Sequence, residues 1–341
     1  MKGIISAPGF KAAKGIAVAS LLLHFYEEHP LHDHAPYDLY GYRQPTLIGI
    51  AANLAERIAT STERARKNLT KLTKNQVSDL MREMKTASED IRATIAAWDH
   101  SPLNASQAAR LGNLGTLKRD VDRIMDDCLT RQKLLIPDQT IAAVRGGVSA
   151  SVHDIIAQEA PGGWGMLTAE QAEKVIGQSF MMVNREALAF WTNYRLELAG
   201  AVTDDVKVKI KNALTQSLLT GQNLYEVNRK LGNVILDPDK FRHAGGRIFP
   251  SAANRLQLIT HTENVRAHAQ GRQHFYREVG IKKVRWLATG VNTCKLCEGY
   301  DGQVFNLDEV PDRPVHPGCA CDVVGEASTI EKTPEDYGIA A

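Results

Sequence analysis

Two long seams of apolar residues in the first half of the chain constrain its fold more than any other feature. Between residues 54 and 98 apolar side chains return at helical intervals, through Ile58, Ala65, Leu69, Leu72, Leu80, Met84, Ile91 and Ile95, with charged residues between them. Side chains three or four apart share one face of a helix, so this run predicts one long amphipathic helix or two in line. The stretch "SPLN" at 101–104 breaks the run. A second seam follows in Leu114, Leu117, Val121, Ile124, Cys128 and Leu135, spaced alternately three and four until Arg131 interrupts it. Two such helices joined by a short turn bury their apolar faces against each other, which predicts an antiparallel hairpin. Cys128, on the seam, reads as a small buried hydrophobe and not a reactive thiol.

At 341 residues the chain exceeds the usual single-domain size, and its 43% hydrophobic and 23% charged content is that of a folded globular protein. Residues 1–50 mix Gly, Pro, Tyr and four histidines, His24, His29, His32 and His34, without periodicity, and read as an irregular arm. "GIAVASLLLHF", from Gly15, follows three lysines but lacks a small-residue cleavage site, so it reads as a buried element and not a secretory signal. It is also far short of the roughly 18 to 20 apolar residues that span a bilayer.

"LLIPDQ" is expected to end the hairpin, with "RGGVSAS" and "APGGWG" as turns and a domain boundary within 137–166. "TAEQ" at Thr168 offers a capping box for a helix towards Gly200, with Val175, Phe180, Val183, Leu188, Trp191 and Leu198 on its apolar face. Thr203 with Asp204 and Asp205 suggests a new helix start, and Gly221 its stop. Asn223 to Leu231 reads as a short helix ending at Gly232, 236–250 as a loop, and Ser251 as the cap of a helix ending near Gly280. Beyond it "KKVRWLAT" and "GQVFNL" suit strands. The fold class is mainly α: an arm (1–50), a long helical hairpin (51–136), a helical middle domain (137–280) and a small α+β zinc-binding module with an acidic tail (281–341). About 60 residues bury little apolar surface, so the last module is expected to need a metal in place of core.

Net charge is only +2, yet it is unevenly distributed. Residues 240–285 hold ten Lys or Arg against Glu263 and Glu278, and residues 298–336 hold ten acids against Arg313 and Lys332. Any affinity for nucleic acid therefore has to come from local distribution and not from the total.

Four of the five cysteines fall within 294–321. Cys294 and Cys297 form C-x2-C, and after 18 residues His316, Cys319 and Cys321 form H-x2-C-x-C. Two such pairs across a loop suit a tetrahedral Zn2+, whose preferred donors are thiolate sulfur and imidazole nitrogen. Gly318 is placed to take the positive φ that a tight knuckle needs. Five candidates compete for four positions. Cys294, Cys297, His316 and Cys319 are favoured, while Cys321 shares a face with Cys319 in an extended segment and stays open as the alternative. A redox C-x2-C belongs at a helix start in a thioredoxin-like context, which the surrounding pattern does not offer, and a disulfide requires an oxidising compartment. Four protein ligands make a closed, structural site with no catalytic position.

The helix before the cluster carries Arg255, Arg266, Arg272 and Arg277, three of them eleven residues apart, so that Arg255, Arg266 and Arg277 share nearly one face. Such a face contacts phosphates or is simply solvated. His261 and Glu263, two apart, point away from each other and make a poor catalytic pair.

"RLQLITHTENVRAHAQGRQHFYREVGI", "VRWLAT", "TCKLCEGYDGQVF" and "PVHPGCACDV" together resemble the C-terminal region of the Mu F-like phage head morphogenesis proteins, the minor head protein family. "LTQSLLTGQNLYEVNRKLGNV" is similar to the helix-Gly-helix segment before it, and the resemblance covers roughly 165–325. His261 and Ala320 stand where that family commonly has arginine. The resemblance implies a structural, non-enzymatic protein incorporated in a few copies into the assembling head. Its implied partners are the portal protein, other head proteins and packaged double-stranded DNA, and its implied place is the virion, after assembly in the host cytoplasm. Because this family's module is also found joined to toxin domains, a metal-dependent nuclease or toxin-like effector is the alternative.

Overall fold

The computed structural model describes residues 47–99, 107–220, 224–232, 247–288 and 293–339. The histidine-bearing arm up to residue 46, the Gly15 stretch, the 101–104 turn, Gly221 and most of the 236–250 loop lie outside the described residues. Two long helices come first, α1 (Leu47–Asp99) and α2 (Gln107–Ala157). They are followed by α3 (Ala169–Met181), α4 (Arg185–Thr220), α5 (Leu224–Leu231) and α6 (Ile248–Glu278). The chain closes with β1 (Lys283–Leu287), α7 (Lys295–Tyr300), β2 (Val304–Asn306) and β3 (Asp322–Gly325). The fold is therefore mainly α with a small sheet at its end. Among the described residues no helix is long and apolar enough to cross a membrane.

The chain divides into two compact units, each assembled from separated segments. Of the described residues, those within 47–68, 144–183 and 268–339 form the first, and those within 69–143 and 184–267 the second. The helices α1, α2 and α6 each contribute residues to both units.

In the second unit α1 and α2 run antiparallel. Gln76 donates to the Gln139 carbonyl at 3.1 Å and Arg131 reaches back to Glu83. The expected seam is its core, with Leu80, Met84, Ile91 and Ile95 against Val121, Ile124 and Cys128, joined by Val202, Val206 and Ile210 of α4 and Phe249 and Leu256 of α6. A polar layer interrupts it. Arg195 donates to Thr140 Oγ1 and Asn264 Oδ1 at 3.2 Å and to Gln139 Oε1 at 3.3 Å, and Asn264 donates to Thr73 at 2.9 Å. Sliding α1, α2, α4 or α6 would break these bonds and strand buried polar groups, so the layer fixes helix register.

In the first unit the antiparallel pairing appears as Arg57 with Glu159 and as Ser61 donating to Asp154 at 2.7 Å. Here α2 crosses α6 at backbone contact. A Cβ on Gly147 would stand 2.0 Å from the His268 carbonyl oxygen, and one on Gly271 would stand 2.1 Å from that of Val144. "RGGVSAS" is therefore helix, with glycine selected by close approach and not by a turn.

Other expected boundaries also move. α2 runs through Pro137, which is half-buried between Ile136 and Gln139, both packed inward. A proline inside a helix costs about 3 kcal/mol, here offset by the burial on either side. The Thr168–Gln171 capping box is present, and "APGGWG" is a turn with Gly162 and Gly163 at positive φ. α3 ends at Met181, however, and Asn184 starts a new helix by accepting from the Glu186 and Ala187 N–H groups at 2.8 and 3.3 Å. α4 then continues through Gly200 and Thr203. The Thr203 hydroxyl bonds back to the Ala199 carbonyl instead of capping, because the buried stripe Ala199, Val202, Val206 and Ile210 is continuous.

The sheet has the order β2-β1-β3, antiparallel throughout, with Val284 opposite both Phe305 and Gly325. The sequence pattern gives no sign of β3. Its four residues directly follow the last cysteine, too short a run to register as a strand. Nor does the C-terminal segment lack a core. Val284, Trp286 and Val323 belong to one apolar cluster with Val148, Val152 and Ile155 of α2, Val175 of α3, Phe275 and Tyr276 of α6, and Trp164. The interior of this segment is therefore supplied by side chains shared with the helices.

Candidate metal centre

Two short structures bring the thiols together. In the first, Cys294 caps α7 and its sulfur accepts from the Cys297 N–H at 3.4 Å, which turns Cys297 inward to 1% exposure. The C-x2-C thus lies at the start of a helix of only six residues. Asp301 ends that helix and accepts from the Ala288 N–H at 2.8 Å, and Gly302 takes φ 77° to send the chain into β2. That accounts for the D-G-x-V-F spacing.

The second structure is the knuckle at 316–319. The Cys319 N–H donates to the His316 carbonyl at 3.0 Å with Gly318 at φ 78°, as the sequence predicts. His316 Nδ1 lies 3.0 Å from the Pro317 carbonyl, a bond that assigns the ring proton to Nδ1 and leaves Nε2 as the donor to a metal. That Nε2 is 3.8 Å from Cys297 Sγ, which in turn is 3.7 Å from Cys319 Sγ. With metal–sulfur bonds of about 2.3 Å, the corners of a tetrahedral site stand about 3.7 Å apart. The ligand atoms fall into two groups, Cys294, Cys297 and His316, and Cys297, Cys319 and Cys321, each within 4.8 Å of one another. Cys297 belongs to both, so the five residues form one continuous donor set able to hold a metal ion.

The thiols sit in unequal surroundings. The Cys297 N–H, a hydrogen bond to the sulfur, holds the Cys294 thiol below its ordinary value, and burial pushes Cys297 up. The hydrogen bond from Cys321 holds Cys319 well down while Cys321 itself is raised, first by that same bond and then by burial. The Pro317 carbonyl raises His316.

The four arginines have different fates. Arg255 pairs with Asp205 at 3.0 Å and Arg277 with Asp308 at 3.0 Å. Arg266 pairs with Glu263 and lies over the Tyr194 ring, 5.6 Å from its centre. Arg272 is no surface residue at all. It is fully buried, paired with Asp154 and, at 3.0 Å, with Asp322, and it donates to the Val323 carbonyl at 3.1 Å. Nearby His268 is 4% exposed, and its pKa is lowered to about 4 by burial. Charge counting along the chain does not separate a buried arginine from an exposed one; the small residues around Arg272, Ala267, Ala269 and Gly271, are the signal that this stretch is packed. The basic and acidic blocks also neutralise each other in the first unit, through Arg272–Asp322, Arg277–Asp308, Lys282–Glu331 at 2.8 Å and Arg285–Glu326 at 3.1 Å.

Residues 208–324 match the family model described as phage Mu protein F like protein. The match contains the whole donor set, α5, α6, β1, α7, β2 and most of β3, and it begins later than the resemblance read from the sequence. No curated protein and no solved structure matches the chain. The Mu F-like segment thus carries the thiols, the knuckle and the strands that position both, while α1 and α2 lie outside it.

Proposed function

We propose that this protein is a minor structural protein of a phage head, acting in capsid assembly at the portal vertex, with its Cys/His set closed by a structural Zn2+. The observation that carries this reading is the Mu F-like match over 208–324, which takes in all five donor residues. Phage head morphogenesis is the role that family suggests. Zinc is favoured over harder cations because the donors are thiolate and imidazole, and a structural role is favoured because four protein ligands leave no open position. The partners proposed are the portal protein and other head proteins.

Contact with packaged DNA would fall to the exposed arginines of α6. Arg272 is unavailable, and Arg255, Arg266 and Arg277 are engaged with carboxylates. Phosphates would have to compete with those pairs, which the exposed Arg255–Asp205 and Arg277–Asp308 pairs permit at about 0–1 kcal/mol each, whereas Arg266 is held by the buried Glu263; the binding would then be non-specific and steeply salt-dependent.

Quantitative mass spectrometry of purified virions and proheads tests the reading. A handful of copies per portal supports it, and absence from both particles overturns it. Plasmid cleavage with added Mg2+ or Zn2+ that is lost in His261→Ala would instead establish a nuclease.

A further inference from the structure

Three of the five donors, His316, Cys319 and Cys321, ride on one loop whose two ends are held by a single buried ion pair. Arg313 Nη1 donates to Asp322 Oδ1 at 2.8 Å, and the Arg313 side chain is wholly buried. Asp322 is the residue after Cys321, and Arg313 stands three before His316. The pair is bound to the helices. The other oxygen of Asp322 is 3.0 Å from Arg272 of α6, and Arg272 is paired with Asp154 of α2, which also accepts from Ser61 of α1.

Stability alone does not explain this cluster. Burying ion pairs costs desolvation that well-packed apolar residues avoid, and Arg313 Nε and Nη2 are buried without a partner. What the cluster does supply is geometry. Two fixed ends leave the intervening loop little freedom, and the knuckle hydrogen bonds at His316 and Cys319 remove most of the remainder.

We propose that Arg313 and Asp322 are positioning residues for the metal centre, clamping loop 313–322 to the α2–α6 crossing so that its three donors face Cys294 and Cys297. The proposal rests on the metal reading. Through the chain Asp322–Arg272–Asp154, the donors are referenced to the helical frame and not only to the small sheet. Residues that orient ligands from outside the coordination sphere typically contribute roughly ten- to a hundredfold in metal affinity.

The test is Co2+ and Zn2+ titration of the full chain, with the Co2+ absorption bands reporting tetrahedral geometry and a chromophoric chelator reporting affinity. The wild-type chain gives tetrahedral bands. Arg313→Met keeps its helices by circular dichroism but binds at least tenfold more weakly with altered bands, a change that loss of global stability alone would not produce. Arg313→Lys, which restores the charge without the planar guanidinium, falls between them. If Arg313→Met does not fold, Arg313→Lys decides: affinity below that of the wild type supports the clamp, and wild-type affinity overturns it. Unchanged affinity and bands in a folded Arg313→Met likewise overturn the clamp while leaving the metal reading intact. A wild-type chain without tetrahedral bands removes the metal reading itself, and the clamp with it.

Discussion

Gly147 of α2 faces the main-chain oxygen of His268 on α6 with no room for a methyl group, which would stand 2.0 Å from that oxygen. Neither backbone can yield without breaking helix hydrogen bonds. Gly147→Ala and Gly271→Ala should each therefore lower stability by about 3 kcal/mol in a denaturant titration. Gly200 lies in mid-α4, and a methyl group added there would meet nothing within 4 Å. It should behave oppositely, Gly200→Ala adding about 0.5–1 kcal/mol through helix propensity.

His268 makes stability pH-dependent. Burial lowers its pKa from the ordinary 6.5 to about 4, with Asp322 opposing the shift and Arg272 and Arg313 reinforcing it. Between those values the unfolded chain binds a proton that the folded chain refuses. This contribution is therefore fully present above pH 6.5 and is lost as pH falls towards 4, amounting to about 3 kcal/mol. Denaturant titrations across this range, with chelator present throughout so that metal release adds nothing, should show the loss. His268→Gln should flatten it.

Cysteines divide by location. Cys297 lies within reach of both donor groups, so Cys297→Ser should abolish stoichiometric metal binding. Cys128 is buried in the helical seam with its thiol pushed up to about 12 by desolvation. Cys128→Ala should leave metal content unchanged and cost about 1–2 kcal/mol, the transfer and cavity cost of one buried sulfur.

Metal removal should act locally, because the sheet shares its interior with α2, α3 and α6. Chelation is expected to accelerate amide exchange in 294–300 and 315–321 while helical circular dichroism stays within a few percent of its starting value. Collapse of the helical signal on chelation would show that the shared core cannot stand without the ion.

Much of the fold is legible in the sequence where one residue's pattern decides its structure. Leu80, Met84, Val121 and Cys128 lie on the predicted seam, Thr168 and Gln171 form their capping box, and Lys283–Leu287 is a strand. The donor spacing with Gly318 likewise foretells the knuckle. The readings that fail depend on a distant partner. Gly147 looks like a turn until α6 is placed against it, Pro137 looks like a stop until its neighbours are buried, and Thr203 looks like a cap until α4 is seen to continue. Arg272 looks like a surface cation because nothing local names Asp154, 118 residues away, as its partner.

Elemental analysis of the freshly purified full-length chain, beside Cys297→Ser, reaches the central claim most directly. One zinc per wild-type chain and none in the variant is the predicted result. Substoichiometric zinc in the wild type, or equal zinc in both proteins, would contradict it.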